Sequence, residues 1–317
     1  MKMISLPGHD RCTGCMACLS ACPKHAISVS ENEYGEEFPK IDGSWCIRCG
    51  KCQKVCHLNN NFFPEKRAEE VYASWSIDAD TCRKSASGGI AAELYQFALK
   101  NGMHAFGVKL DKAHEAHYFE VQNKKDIEAC QNSKYVFSKM GDTYKKVQED
   151  LNAKREVLFS GTSCQVAGLK HFLGKDYDNL ICIDIVCHGV PSPVVWDKYL
   201  RWQEHKNHGK VVKVDFRNKK DFGWKDHVET IWFDNGKNVS SPIFKNLFYG
   251  HMVLRPSCYE CPYKSIMHPG DITIADYWGI EKAAPEFDDN KGVSLVLVNN
   301  EKADSIFENV KIELKWK

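Results

Sequence analysis

Charge of one sign is what this chain lacks most plainly: 43 Lys and Arg face 42 Asp and Glu over 317 residues, a formal net charge of +1. So even a balance gives no electrostatic footprint for nucleic acid or an anionic membrane surface. The opening MKMISLPGHDRC has no apolar stretch of the kind a secretory signal needs. Nowhere does an apolar run approach the ~20 residues of a membrane span; the longest, such as 180–186, contains Asp184 and is strand length. Low-complexity segments are missing, as are paired acid and base residues that could be named catalytic. His114, His117, His205 and His208 lie in polar stretches without evident carboxylate support and read as surface residues. Cysteine, by contrast, is abundant at 15 residues. Without a signal, that implies a reducing, cytoplasmic setting and metal-bound thiols, not disulfides.

Eight of those cysteines form two runs of identical spacing. The first is Cys12, Cys15, Cys18 and Cys22, followed by Pro23; the second is Cys46, Cys49, Cys52 and Cys56, followed by His57. This is the spacing of bacterial two-cluster ferredoxins, in which three cysteines of a run wrap one 4Fe–4S cube and the fourth reaches the other. Cluster one therefore takes Cys12, Cys15, Cys18 and Cys56, and cluster two Cys46, Cys49, Cys52 and Cys22. Gly14, Ala17 and Gly50 leave room for backbone amides near the sulfurs, where hydrogen bonds tune potential. His57 stands where a second proline would be.

Length suggests about two domains, and 43% hydrophobic residues suffice for a packed core. Residues 1–60 form the ferredoxin-like module, with apolar stretches at 27–29 and 38–41 around a Gly35 turn reading as a hairpin. Residues 61–70 read as a linker. From 71 to 317 strand and helix signals alternate: strands at 71–77, 104–110, 156–160, 180–186, 211–216, 228–233, 272–277 and 293–298, and helices at 87–100, 144–151, 161–173 and 193–205. Ser87 is a candidate N-cap. The pattern predicts an α/β domain with a mixed sheet, giving an α+β architecture overall. Residues 312–317 read as a strand with no closing element after it. Either a further piece follows in a longer chain or this one ends on an edge strand.

Of the remaining cysteines, Cys82, Cys130 and Cys182 are isolated. Cys164 and Cys187 each follow a predicted strand, at the carboxyl edge where open α/β sheets bind ligands, and Cys258 and Cys261 form a pair. The four could converge as a third cluster site. Equally, Cys164 and Cys187 could be small buried residues, or the set could be a zinc site.

Six segments in order resemble the coenzyme F420 hydrogenase/dehydrogenase beta-subunit family, in its branch with a fused two-cluster ferredoxin domain. They are Ser87-Gly88-Gly89-Ile90, Ser133-Lys134-Tyr135-Val136-Phe137-Ser138, Gly161-Thr162-Ser163-Cys164-Gln165, Cys187-His188-Gly189-Val190-Pro191-Ser192, the Cys258/Cys261 pair, and Gly270-Asp271-Ile272-Thr273-Ile274-Ala275-Asp276. The resemblance covers roughly 70–300. It implies an oxidoreductase that holds FAD and a third 4Fe–4S cluster on Cys164, Cys187, Cys258 and Cys261. It further implies that Ser87, Gly88 and Gly89 meet the FAD diphosphate, with Lys134 as a cation on the phosphates and Gly161 and Thr162 near the flavin or the third cluster. The partners implied are a redox protein or reduced coenzyme and a small organic substrate that exchanges hydride with the flavin. The alternative is a carrier without catalysis that docks on a separate dehydrogenase.

Overall fold

The protein is described by a computed structural model covering residues 4–59, 68, 70–310 and 314–316. Most of the 61–70 stretch read as a linker lies outside the described residues; its last residue, Glu70, already belongs to a strand.

The N-terminal module contains a hairpin, β1 (Ile27–Glu31) with β2 (Glu37–Ile41), in register Ile27 to Ile41. Asn32 closes its turn by accepting the amides of Tyr34 and Glu36 on Oδ1, and Gly35 supplies the left-handed residue. The remainder is built on a nine-stranded sheet. Its members are β3 (Glu70–Ser76), β4 (His104–Leu110), β5 (Ala116–Val121), β6 (Ser138–Lys139), β7 (Val157–Thr162), β8 (Leu180–Ile185), β12 (Ile272–Asp276), β13 (Ser294–Val298) and β14 (Leu314–Trp316). Their order is β14-β3-β13-β12-β8-β7-β4-β5-β6. The centre, β12-β8-β7-β4, is parallel, while β13, β3, β14 and β5 pair antiparallel. The sheet is therefore mixed, as the alternation predicts. Strands β9 (Val211–Asp215), β10 (Glu229–Phe233) and β11 (Asn238–Ser241) instead form a separate three-stranded sheet.

Both faces of the large sheet are covered. Leu158, Ile181, Ile183, Ile272 and Val296 pack under helices Ile90–Lys100 and Glu301–Val310. The neighbouring Val157, Phe159, Leu180 and Cys182 point the other way, toward helices Thr143–Asn152 and Ser163–Leu173, because successive strand residues alternate faces. Full burial of a side chain such as Phe159 contributes about 1.5–3 kcal/mol. Met16 and Ala17 of the ferredoxin-like module belong to this second layer, so the module is part of the core packing.

Two helical readings shift. The helix expected from Ser87 starts at Ile90, with Gly89 as cap at φ 92°; Ser87 instead bonds Val293 O through Oγ at 2.8 Å. Helices Lys124–Cys130 and Glu301–Val310 were not evident in the sequence. The latter is mostly polar and buries only Ala303, Phe307 and Val310, a stripe at i, i+4, i+7.

Candidate functional site

The two cysteine runs fold alike. In each, the residues flanking the second cysteine are left-handed: Gly14 (φ 71°) and Met16 (φ 61°) around Cys15, Arg48 (φ 57°) and Gly50 (φ 74°) around Cys49. Only one of each pair is glycine, so the matched loop is written with different residues. A four-residue helix follows each loop, Ala17–Ser20 carrying Cys18 and Lys51–Lys54 carrying Cys52. The fourth cysteines cross. Cys56 lines one small cavity with Cys12, Cys15 and Cys18, and Cys22 lines a second with Cys46, Cys49 and Cys52. Burial pushes the Cys18 thiol up to about 12, with the charges of Cys12 and Cys56 adding to it. Thiols in that state become thiolates only when positive charge arrives. The amide of Ala26 already points at Cys22 Sγ, 3.3 Å away.

Two contacts tie the first set to the large domain. Arg255, buried, donates from Nε to Cys12 O at 2.8 Å and from Nη2 to Glu37 O at 2.9 Å, with its guanidinium over the Phe38 ring. Among the described residues its Nη1 has no hydrogen-bond partner by geometry, and it lies beside Gly14 in the Cys12–Cys15 loop. A buried donor in that position suits an acceptor held by those cysteines. Gly168, on helix Ser163–Leu173, faces Cys15 so closely that a Cβ there would sit 3.0 Å from its sulfur.

The other four cysteines also meet. Cys164 lies in the first turn after β7, where Thr162 and Gln165 form a capping box. Cys187 follows β8, and Cys258 sits in the short helix Pro256–Tyr259. Arg255 N bonds Val190 O, and Gly189 leaves room for Leu254 and Cys258. These contacts bring the Cys258 loop over the carboxyl edge of the sheet. Cys187 is exposed as a residue, but its thiol lies among packed atoms, which raise it together with the nearby charges of Cys164, Cys258 and Cys261. Behind Cys164, the Ser163 hydroxyl donates to Asp184 Oδ2 at 2.7 Å, which also meets His268 Nδ1 at 2.8 Å; all three residues are buried.

Among the described residues, the one group of three or more His, Cys, Asp or Glu ligand atoms within 4.8 Å of one another is Asp111, Glu115 and His117. The cysteine sets are more widely spaced. The same group corrects the reading of His117 as unsupported: it lies 3.1 Å from Asp111 Oδ2, across a turn that separates them in sequence. His114 is buried, not on the surface, its Nε2 3.2 Å from Val211 O.

The segments that carry the residues expected around a flavin adjoin one another, for Gln131 Nε2 donates to Ser85 Oγ at 3.1 Å and Tyr95, beside Cys130, bonds Ser160, but each named residue is engaged locally. The Gly88 amide bonds Ser294 Oγ, and a Cβ there would strike Ser74 O at 2.4 Å, so strand packing accounts for that glycine. Lys134 turns Nζ to the carbonyls of Cys130, Gln131 and Asn132, and burial lowers it to about 8. Thr162 Oγ1 is 3.2 Å from Cys164 Sγ, and Gly161 makes room for Tyr118 and Gln165. Two cations that sequence reading passed over stand nearby. Lys219 Nζ donates to Ser87 O at 2.8 Å and is lowered to about 8 by burial. Arg217, buried, bonds Asp276 at 2.6 Å at the end of β12 and lies over the Trp278 ring. The basic run Arg217, Asn218, Lys219, Lys220 directly after β9 was the available signal.

Comparison with known proteins fits this arrangement. A family model for the C terminus of the coenzyme F420 hydrogenase/dehydrogenase beta subunit matches residues 154–316, and a 4Fe-4S dicluster domain matches 11–60. A ferredoxin-like protein of Haemophilus influenzae is 36% identical over 68 residues, 20% of this chain and 73% of the relative. An epoxyqueuosine reductase of a Synechococcus species is 28% identical over 82 residues, 20% of this chain; the match spans only 26% of that relative. A chain of the F420-reducing NiFe hydrogenase complex from Methanosarcina barkeri shares the fold at a TM-score of 0.55 and 16% identity, over 79% of this chain and 82% of that one.

Proposed function

The chain belongs to the coenzyme F420 hydrogenase/dehydrogenase beta-subunit family and carries an N-terminal 4Fe-4S dicluster domain, and from this we propose that it is an iron–sulfur flavoprotein oxidoreductase acting on a small organic substrate or coenzyme. Its redox character follows from the dicluster domain and the family. The finer reading divides it into a two-cluster module over 1–60 and a flavin-binding domain over 71–317. It gives cluster one to Cys12, Cys15, Cys18 and Cys56, cluster two to Cys22, Cys46, Cys49 and Cys52, and a third cluster to Cys164, Cys187, Cys258 and Cys261. The single observation that supports it best is the crossed lining of the two N-terminal cavities by one such set each.

When bound, 4Fe–4S clusters supply one-electron transfer, and FAD links such steps to hydride exchange. The chain's own groups would prepare these sites. Arg255 offers charge beside Cys12. The capping box and the Asp184 network hold the helix that presents Cys164. For the FAD phosphates, the N-terminus of helix Ile90–Lys100 offers a favourable dipole; Lys219, its ammonium held by the carbonyls of Cys82, Ser87 and Lys291, fixes the Ser87 loop. Lys134, with its ammonium engaged by three carbonyls, is better assigned to fixing the 130–134 loop. A reducing, cytoplasmic setting and a redox partner complete the reading; among the described residues, no helix is long and apolar enough to cross a membrane.

Anaerobic purification with cofactor reconstitution tests it. Flavin absorbance and about twelve iron per chain are expected, four for each cube. A protein that takes up about eight iron and no flavin would be a carrier for a separate dehydrogenase.

A further inference from the structure

The two N-terminal cavities are lined by four cysteines each, yet their surroundings differ in charge. Among the described residues, the Cys12, Cys15, Cys18 and Cys56 cavity has no Lys, Arg, Asp or Glu in its lining and faces inward: Cys15 meets Gly168, and Arg255 from the large domain reaches Cys12 O. The cavity of Cys22, Cys46, Cys49 and Cys52 is rimmed by three exposed cations, Lys24, Arg48 and Lys51, and among the described residues no carboxylate lines it. Beside it, Trp45 is 69% and Ile47 57% exposed. One acid, Asp42, stands at the margin, and its Oδ1 accepts both the amide and the hydroxyl of Ser44.

Most of the module's acidic residues lie elsewhere. Glu31, Glu33, Glu36 and Glu37 are on or beside the β1–β2 hairpin, which docks on the large domain through Tyr34 O with Ser192 Oγ and Val194 N. The charges are thus separated within a module whose net contribution is small. A basic rim around two exposed apolar side chains is the form of a protein-docking patch, with an apolar centre and a charged margin. A ring of one sign steers a partner of the opposite sign.

We propose that the Trp45–Ile47 patch, rimmed by Lys24, Arg48 and Lys51, docks an acidic electron-carrier protein whose one-electron centre lies near its surface. The inference rests on the reading of Cys22, Cys46, Cys49 and Cys52 as cluster ligands. In the exchange one electron passes from the carrier's reduced centre to that site, the carrier is oxidised by one electron, and no bond or proton moves. The competing explanation is that the three cations only offset the negative charge of the tetrathiolate site. The inward cavity would carry much the same charge, and Arg255 and Arg11 offset it without standing in its lining among the described residues, so offsetting does not by itself call for three exposed cations around the outer one.

The experiment uses the reconstituted full chain and, as probe, a reduced plant-type two-iron ferredoxin of strongly acidic composition. Its binding constant and stopped-flow reduction rate are measured at low and high salt for the parent, for the Lys24→Glu/Lys51→Glu double variant and for Trp45→Ala. We expect the double variant to weaken binding and slow reduction at least tenfold at low salt and to flatten the salt dependence. Trp45→Ala should weaken binding at every salt concentration. Both variants should keep the parent's iron content, EPR signals and, at high salt, rate with reduced propyl viologen sulfonate, whose reduced form carries a single negative charge. Parent-like ferredoxin binding and salt dependence in the double variant would overturn the docking inference. So would a change confined to the site's own midpoint potential, which would assign the cations to the cluster alone. If the parent itself lacks a second cluster by iron and EPR, it is the ligand reading that fails.

Discussion

The imidazole Nδ1 of His57 lies 2.7 Å from the hydroxyl of Tyr263. His57 follows Cys56, and Tyr263 lies two residues beyond Cys261, so one hydrogen bond spans the first and third cysteine sets. The other ring nitrogen is 3.0 Å from Thr13 Oγ1, between Cys12 and Cys15. Burial, with the neighbouring His171 charge, lowers His57 to about 3, so the ring is neutral, with one nitrogen a donor and the other an acceptor. In sequence His57 is only a missing proline; in the structure it joins three segments.

Tyr263→Phe removes one partner and leaves a buried ring nitrogen unpaired, at a cost of about 1–3 kcal/mol. The melting temperature should fall by several degrees while the iron content stays at the parent value. Loss of iron would show that the bond holds a ligand loop in place and not only the domain contact.

Gly168→Val should empty the Cys15 site. Even a Cβ at this position would sit 2.8 Å from Tyr144 Oη and 3.0 Å from Cys15 Sγ, and the two further methyl groups overpack a buried contact by a further 1–3 kcal/mol or so. The expected result is a chain short of about four iron, one cube, with the EPR signal of the cluster on Cys22, Cys46, Cys49 and Cys52 retained.

Cys258→Ser tests the third set alone. Iron should drop by about four per chain with both ferredoxin-type signals intact. Unchanged iron and an unchanged spectrum would remove the third cluster.

Two buried groups near the three-stranded sheet give stability opposite pH slopes. Burial, then the charges of Arg217 and Lys245, holds His227 at about 3. Its contribution is complete above its unfolded value near 6.5 and is lost as pH falls toward 3, roughly 2 kcal/mol by pH 5. Burial raises Glu229, which accepts from the Tyr199 hydroxyl, to about 7. Its neutral form favours the fold below the unfolded value of 4.5, and that contribution, roughly 3 kcal/mol, is lost as pH rises through 7. Between pH 4.5 and 6.5 the two oppose each other. Glu229→Gln, which keeps an acceptor for Tyr199, should uncover the His227 slope, so that stability in urea titrations rises from pH 5 and levels off near 6.5.

How much of this was written in the sequence depends on whether the signal was local. The two cysteine runs are local, and their spacing alone grouped the eight residues as the cavities do, including the exchange of Cys22 and Cys56. The parallel strands showed in short apolar runs, and the carboxyl-edge rule put Cys164 and Cys187 on one side of the sheet. What escaped was decided by contacts distant in the chain. Lys134 looked like a free cation, yet its ammonium is satisfied by carbonyls that only a folded loop brings together. Gly88 looked like a phosphate seat, but its bareness serves Ser74 and Ser294 on strands far from it in sequence. Arg217 and Lys219 escaped because a basic run after a strand most often faces solvent, whereas here Arg217 is buried against Asp276.

Arg255 has a further consequence. One side chain, fixed three residues before Cys258, holds the main chain of the ferredoxin-like module at Cys12 and at Glu37. A module clamped at two points by the loop that carries Cys258 does not swing like an arm on a hinge. Were the cysteine sets to hold clusters as proposed, electrons between the module and the large domain would cross a fixed contact, not a moving one.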